Sequence, residues 1–248
     1  MKNAIKLYLI IAIIFLLITP SSIIANSKDI IPNRQDGRQI SKLQWISLNG
    51  ELPGTYQDYL SKHPIKPIIF FKSQDFNSNI ISSSKSISLL VNQLLYLNIK
   101  SAINEYILDL QAEGYSVHLQ TITDGNPEEI KQWIIERYKT GCEGFVFMGD
   151  ITAAWAEVSG SVFPCDLFYM DLDGNWEDQD YDGDFEIHTE GNGDMGPEVF
   201  IGRIYAQSLN YEKEEIMVNN YLSKVHGYGR TDGSRLYWRT PNRRRKTA

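Results

Sequence analysis

"YSVHLQTITDGNPEEIKQWIIERYKTGCEGFVFMGD", Tyr115–Asp150, carries the pattern of a strand, a capped helix and a second strand within 36 residues. Its first part, Tyr115–Ile122, alternates apolar and polar side chains, as a half-buried strand does. Asn126 then stands where a helix cap belongs, and Pro127 takes the first helical position. Glu128 and Glu129 place negative charge at the positive end of the helix dipole. Ile130, Trp133, Ile134 and Tyr138 recur at helical spacing and predict one buried stripe, and Gly141 suits the helix end. Gly144–Gly149, "GFVFMG", is apolar throughout, which fits a short strand covered on both faces. Strand, helix and strand joined by connections this short predict a parallel pair with the helix laid across it.

The same alternation extends in both directions. Upstream, Ile87–Tyr96, "ISLLVNQLLY", is apolar enough for a buried strand. Ile99, Ile103, Tyr106, Ile107 and Leu110 follow at helical spacing, with Gly114 just past the expected helix end. Downstream, Glu198–Ile204, "EVFIGRI", reads as a further strand, and Met217, Tyr221 and Val225 mark the stripe of a helix behind it. The fold class is therefore α/β, a parallel sheet with flanking helices. Residues 26–85 are mixed: "NRQDGRQ" and "NSNIISSSKS" are turn-rich, and Pro67–Phe71, "PIIFF", is a candidate strand. That region is expected to be either a pro-segment or an amino-terminal edge piece.

The chain ends narrow the compartment and the partners. Lys2 and Lys6 precede an apolar run, Leu7–Ile18, followed by Pro20, serines and Ala25. A basic start, a short apolar core and a small-residue exit read as a secretory signal peptide over 1–25, cleaved after Ala25. A membrane span needs about 20 apolar residues, so no stable span is expected after cleavage. The expected location is secreted or cell surface. Losing Lys2 and Lys6 takes the net charge from −7 to −9, and setting aside the five positive charges of "RTPNRRRKTA" leaves a body near −14. A body this acidic repels phosphate backbones, so nucleic acid is excluded as a partner. "RTPNRRRKTA" lacks core-forming apolar side chains, and residues 229–248 are expected to be a disordered basic tail. Cys142 and Cys165 permit one disulfide in an exported chain, but spacing alone does not decide whether they pair.

"GFVFMGD", then "PCDLFYMDLDGNW", then "PEVFIGRI" with a helix behind it resemble the gingipain-type cysteine peptidases, in order and spacing, over about Ser86–Tyr228. The resemblance implies a caspase-like (Rossmann-like) α/β architecture and peptide-bond hydrolysis by a Cys–His dyad, with protein or peptide substrates. It also implies that the catalytic His, in a Gly-His-Gly type segment, and the Cys after it lie well downstream of "GRI". Only 45 residues follow Arg203, with His226 and no cysteine among them. The expectation is an amino-terminal part, 86–228, of such a domain, incomplete at its carboxyl end and without the family's dyad. Within the chain, Cys165 and His188 form the remaining candidate dyad, although nearby carboxylates would raise the thiol pKa rather than activate it. Cys142 fits packing or a disulfide, and His118 fits a filler within a strand. The rival, from a different class, is a non-catalytic, calcium-stabilised surface or adhesion module.

Calcium enters through "MDLDGNWEDQDYDGDFEIHTEGNGD", Met170–Asp194. Asp178, Asp180 and Asp182 occupy positions 1, 3 and 5 of a calcium loop, Gly183 its sharp turn, Asp184 position 7 and Glu186 position 9. Position 12 is Thr189 rather than the bidentate Glu, Glu190 is one residue late, and no helix pair flanks the loop. This is no EF-hand. With Asp173 nearby, these residues are nonetheless the candidate calcium ligands, and a solvated acidic loop is the plain alternative. Asp150, closing "FVFMGD", stands at the carboxyl end of a strand, where ligands of open α/β sheets collect. Asp166 is a candidate cation ligand or turn former, and Arg203, ending an apolar strand, needs a carboxylate of the loop region as partner.

Overall fold

In the computed structural model, which describes residues 52, 54–78, 85–209 and 211–231, the reciprocal cap of the central helix is in place. The Glu129 amide donates to the Asn126 side chain at 2.8 Å, and the Asn126 amide donates to the Glu129 carboxylate at 3.0 Å. These two bonds satisfy donors that a helix start otherwise leaves open. In chain order the elements are α1 (Tyr56–Lys62), β1 (Ile69–Phe76), β2 (Ser86–Asn92), α2 (Gln93–Ala112) and β3 (Ser116–Thr123). Then come α3 (Pro127–Lys139), β4 (Gly144–Met148), β5 (Trp155–Val158), β6 (Ser161–Pro164) and the short α4 (Leu167–Met170). The last are β7 (Asn175–Glu177), β8 (Ile187–Thr189), β9 (Phe200–Ile204) and α5 (Glu214–Thr231).

The main sheet runs in the order β1-β3-β2-β4-β9, with β3, β2, β4 and β9 parallel and β1 antiparallel on the β3 edge. Because side chains alternate across a strand, the sheet sorts its apolar residues onto two faces. Ile87, Leu89, Val91, Leu119 and Met148 pack with Ile103 and Ile107 of α2 and Val218 and Leu222 of α5. Leu90, Ile122, Phe145 and Phe147 pack instead with Ile130, Trp133 and Ile134 of α3 and with Phe168 and Tyr169 of α4. The chain is thus an α/β protein with a mostly parallel sheet between helices. The undecided stretch before residue 85 supplies β1, whose outer side chains Ile69, Phe70 and Phe71 are exposed.

Three sequence expectations need correction. The strand expected over Ile87–Tyr96 stops at Asn92, whose side chain accepts the Leu94 and Leu95 amides at 3.0 and 3.3 Å and starts a helix there. α2 therefore begins six residues before Ile99, where it is kinked (φ −126°, ψ 28°). The buried row of α5 is Val218 and Leu222, while Tyr221 is exposed and Met217 half-buried. A four-residue spacing fits either row, and packing against α2 selects the one displaced by a single position. Tyr138, expected on the α3 stripe, lies in the last turn and is exposed.

Gly114 and Gly141 adopt φ of 102° and 92° after α2 and α3, the left-handed conformation that ends helices. α5 continues to Thr231, three residues into the stretch expected to be a tail. The expected signal peptide, residues 1–25, and residues 232–248 lie outside the described residues. No described helix is long and apolar enough to cross a membrane.

Candidate metal centre

The acidic stretch folds as a two-stranded hairpin. β7 and β8 pair antiparallel, with Trp176 opposite His188, and the segment 178–186 connects them. Its aromatic side anchors it to the α3 face of the sheet: Phe185 stacks on Phe168 at 4.5 Å between ring centres, and Trp176 stacks on His188 at 3.9 Å. Strands rather than helices flank the loop, in keeping with the absence of an EF-hand helix pair from the sequence.

Within the connection, the Asp182 and Gly183 amides donate to Asp178 at 3.2 and 2.9 Å, and the Asp184 amide donates to Asp182 at 3.1 Å. The Gln179 amide donates to Glu186 at 2.7 Å. The Tyr56 hydroxyl, on α1, donates to the Gly183 carbonyl at 2.8 Å. Gly183 has φ of 100°, and a Cβ there would stand 2.5 Å from the Tyr56 oxygen, so only glycine fits. Burial first, then Asp182 and Asp184, pushes the Tyr56 pKa up to about 12, which keeps the hydroxyl a donor.

The six residues expected to bind calcium fall into three groups, each with ligand oxygens within 4.8 Å of one another. Asp178, Asp180, Asp182 and Glu186 form the first, in the hairpin connection. Asp184 joins Glu186 and Glu157 in the second. Glu157 arrives from β5: its amide donates to the Phe185 carbonyl at 2.9 Å, and the Phe185 amide donates to the Trp155 carbonyl at 3.0 Å. Asp173 stands apart from both, with Asp171 and Glu198.

The groups differ in how their charge is met. Asp184 is 2% exposed, and its Oδ1, like Glu186 Oε1, is buried without a hydrogen-bond partner. Burial, followed by repulsion from Asp182, Glu186, Glu157 and Asp180, raises the Asp184 pKa from 3.8 to about 6. A buried carboxylate without donors is costly unless it is protonated or meets a cation. The Asp173 group has basic side chains beside it. The buried Asp171 carboxylate is hydrogen-bonded to His188 Nε2 and accepts the Gly174 amide at 2.7 Å. The Lys131 ammonium lies 4.6 Å above the Phe168 ring; burial lowers its pKa, against the pull of Asp171, Glu198 and Asp173.

The expected catalytic candidates are engaged elsewhere. Both cysteines are free, Cys142 buried and Cys165 half-buried. Cys142 Sγ lies 3.2 Å from Ser88 Oγ and donates to the Gly144 carbonyl at 3.2 Å. His188 is held between Asp171 and the Trp176 face, and neither cysteine is hydrogen-bonded to a histidine. His118 pairs with Asp75 at 2.7 Å, burial holding its pKa down, and His226 bridges Glu105 and Asp109 of α2. Arg203 grips Asp166 with two nitrogens, at 3.1 and 2.7 Å, and donates a third bond to the Ile151 carbonyl. That carboxylate lies just before the acidic stretch. Asp150 faces His63 at 3.3 Å.

Glu157, Tyr56 and Lys131 take part in these contacts, and sequence patterning singled out none of them. Ser159 and Gly160, both at positive φ, were the available sign of a hairpin that would carry Glu157 back. No family model, curated protein or solved structure matches the chain.

Proposed function

We propose that this chain is a calcium-stabilised, non-catalytic module of gingipain type, exported and working at the cell surface or outside the cell. What carries the reading is the first carboxylate group. Asp178, Asp180, Asp182 and Glu186 bring four ligand oxygens within 4.8 Å on a loop whose backbone is already folded. Two unit charges about 4 Å apart repel by about 1 kcal/mol even in water, and a divalent ion reverses that sign. An all-oxygen ligand set suits a hard cation rather than zinc or copper. Without the twelfth-position Glu, the affinity belongs with extracellular sites, on the order of 0.1–1 mM. Compartment and affinity agree.

Gingipain-type peptide hydrolysis is the second reading. It is supported by the side-by-side pairing of the two quoted strand segments, with Phe147 opposite Arg203. The described residues offer it no nucleophile with an adjacent base.

The test is thermal unfolding of the full chain in millimolar calcium and in chelator. Binding by the folded loop alone stabilises by about 2.7 kcal/mol at a hundredfold excess over the dissociation constant. The midpoint is expected to rise with calcium, and Asp180→Asn/Asp182→Asn to lose most of the rise. An unmoved midpoint in the unmodified protein would leave a solvated loop.

A further inference from the structure

We propose that the hairpin holds a second divalent cation, seated on Asp184, Glu157 and Glu186, with Glu186 bridging it to the ion of the connecting loop. The bridging role rests on the loop site proposed above; the seat at Asp184 stands on separate observations. The first is the orphaned oxygen. Asp184 is 98% removed from solvent, and its Oδ1 has no donor. The second is Glu186, which gives one oxygen to the Gln179 amide while the other is buried and unpartnered.

The third observation is who does not come. Among the described residues, no Lys, Arg or His forms an ion pair with Glu157, Asp184 or Glu186, whereas Asp171 is paired with His188. Two neighbouring carboxylate clusters are thus met differently. One has a histidine bonded to its buried carboxylate, and the other has no basic side chain paired with it among the described residues.

The geometry states what kind of ion suits the unpaired cluster. Three carboxylate oxygens lie within 4.8 Å of one another. Oxygens on opposite sides of a calcium ion stand about 4.6–5.2 Å apart, given bond lengths of about 2.3–2.6 Å. The site has no nitrogen or sulfur donor, which disfavours zinc. The ladder between β5 and Phe185 fixes Glu157 beside Asp184 and Glu186 before any ion arrives, so the site is preformed. Charge agrees. The two groups together comprise six carboxylates, of which one divalent ion offsets two charges and two ions offset four.

The experiment is equilibrium dialysis of the chelator-stripped full chain against radiolabelled calcium, with far-UV circular dichroism as the folding check. The unmodified protein is expected to bind two ions. Glu157→Gln, which touches only the second site, and Asp178→Asn/Asp180→Asn, which touches only the loop, are each expected to bind one. If Glu157→Gln does not fold, Asp184→Asn takes its place with the same expectation. One ion in the unmodified protein, with Glu157→Gln binding the same, overturns the second site and leaves the loop site standing. Two ions retained in Glu157→Gln overturn its location, and no ion at all removes both sites.

Discussion

Replacing Asp184 by Asn should change stability by an amount that depends on calcium. In the metal-free protein Asp184 is buried with a folded pKa of about 6, against 3.8 for the free side chain. A carboxylate whose folded pKa lies above its unfolded value weakens the fold wherever it is ionised. The cost is fully present above about pH 6 and is relieved as pH falls from there toward 3.8. At about 1.4 kcal/mol per pKa unit the upper bound is about 3 kcal/mol, and solvent screening near the surface lowers it. Asn removes the charge but keeps an oxygen in the same unpartnered place, so that part of the cost remains in both proteins. In chelator at pH 7.5 the variant is expected to be more stable by about 1–3 kcal/mol, which in a domain of this size raises the midpoint by about 2–10 °C. Lowering the pH to 4.5 should remove more than half of that advantage. In 10 mM calcium that advantage is expected to shrink by the binding energy the variant gives up. A site with a dissociation constant of 0.1–1 mM adds about 1.4–2.7 kcal/mol to the unmodified protein, and the variant has lost its central ligand. Differential scanning calorimetry at both pH values, with calcium and with chelator, gives the four comparisons. A variant that melts lower by the same amount in all four would refute the reasoning, since Asp184 would then be an ordinary packed residue.

Other substitutions test the frame around the hairpin. Arg203→Lys keeps the charge but loses the fork on Asp166 and the bond to the Ile151 carbonyl; a loss of about 1–3 kcal/mol in urea unfolding is expected, and an unchanged midpoint would mean the fork contributes nothing. Asn126→Ala removes one half of the α3 cap and should cost about 1 kcal/mol by the same measurement, independent of calcium; a calcium-dependent cost would contradict the separation of cap and metal site. The full chain with reductant and calcium should not cleave broad peptide substrates, because neither cysteine is hydrogen-bonded to His188. Turnover that disappears in Cys165→Ala would restore the internal dyad.

Elements specified by local chemistry were legible in the sequence. The Asn126–Glu129 cap, the glycines after α2 and α3, and the apolar β4 strand each depend on residues within a few positions of one another. Errors arose where two local solutions competed. Ile87–Tyr96 is apolar enough for a strand and short enough for a helix segment, and the deciding residue, Asn92, is a polar side chain inside that run. The row Met217–Tyr221–Val225 and the row Val218–Leu222 share the same spacing, so only contact with α2 separates them. The antiparallel pairing of β1 with β3 joins Ile69 to Thr123 across more than fifty residues, a distance no local pattern spans.

The candidate site divides along the same line. That Asp178, Asp180 and Asp182 belong together follows from their alternate positions on one short loop, and it could be read directly. That Asp173 belongs with Asp171 and Glu198 instead, and Asp184 with Glu157, could not, because both groupings are made by chain segments that return from elsewhere. The composition of an acidic stretch also cannot separate a solvated run of charge from a cation seat, since both need the same residues. What separates them is whether a carboxylate oxygen is buried and whether a donor meets it. Asp171 and Asp184 are both buried, yet the first is hydrogen-bonded to a histidine while Oδ1 of the second has no partner. If the hairpin merely tolerated acidic residues, the buried one without a partner would be the first to be replaced by an amide at no cost to the fold. The calcium-dependent response expected of Asp184→Asn asks that question of the molecule directly.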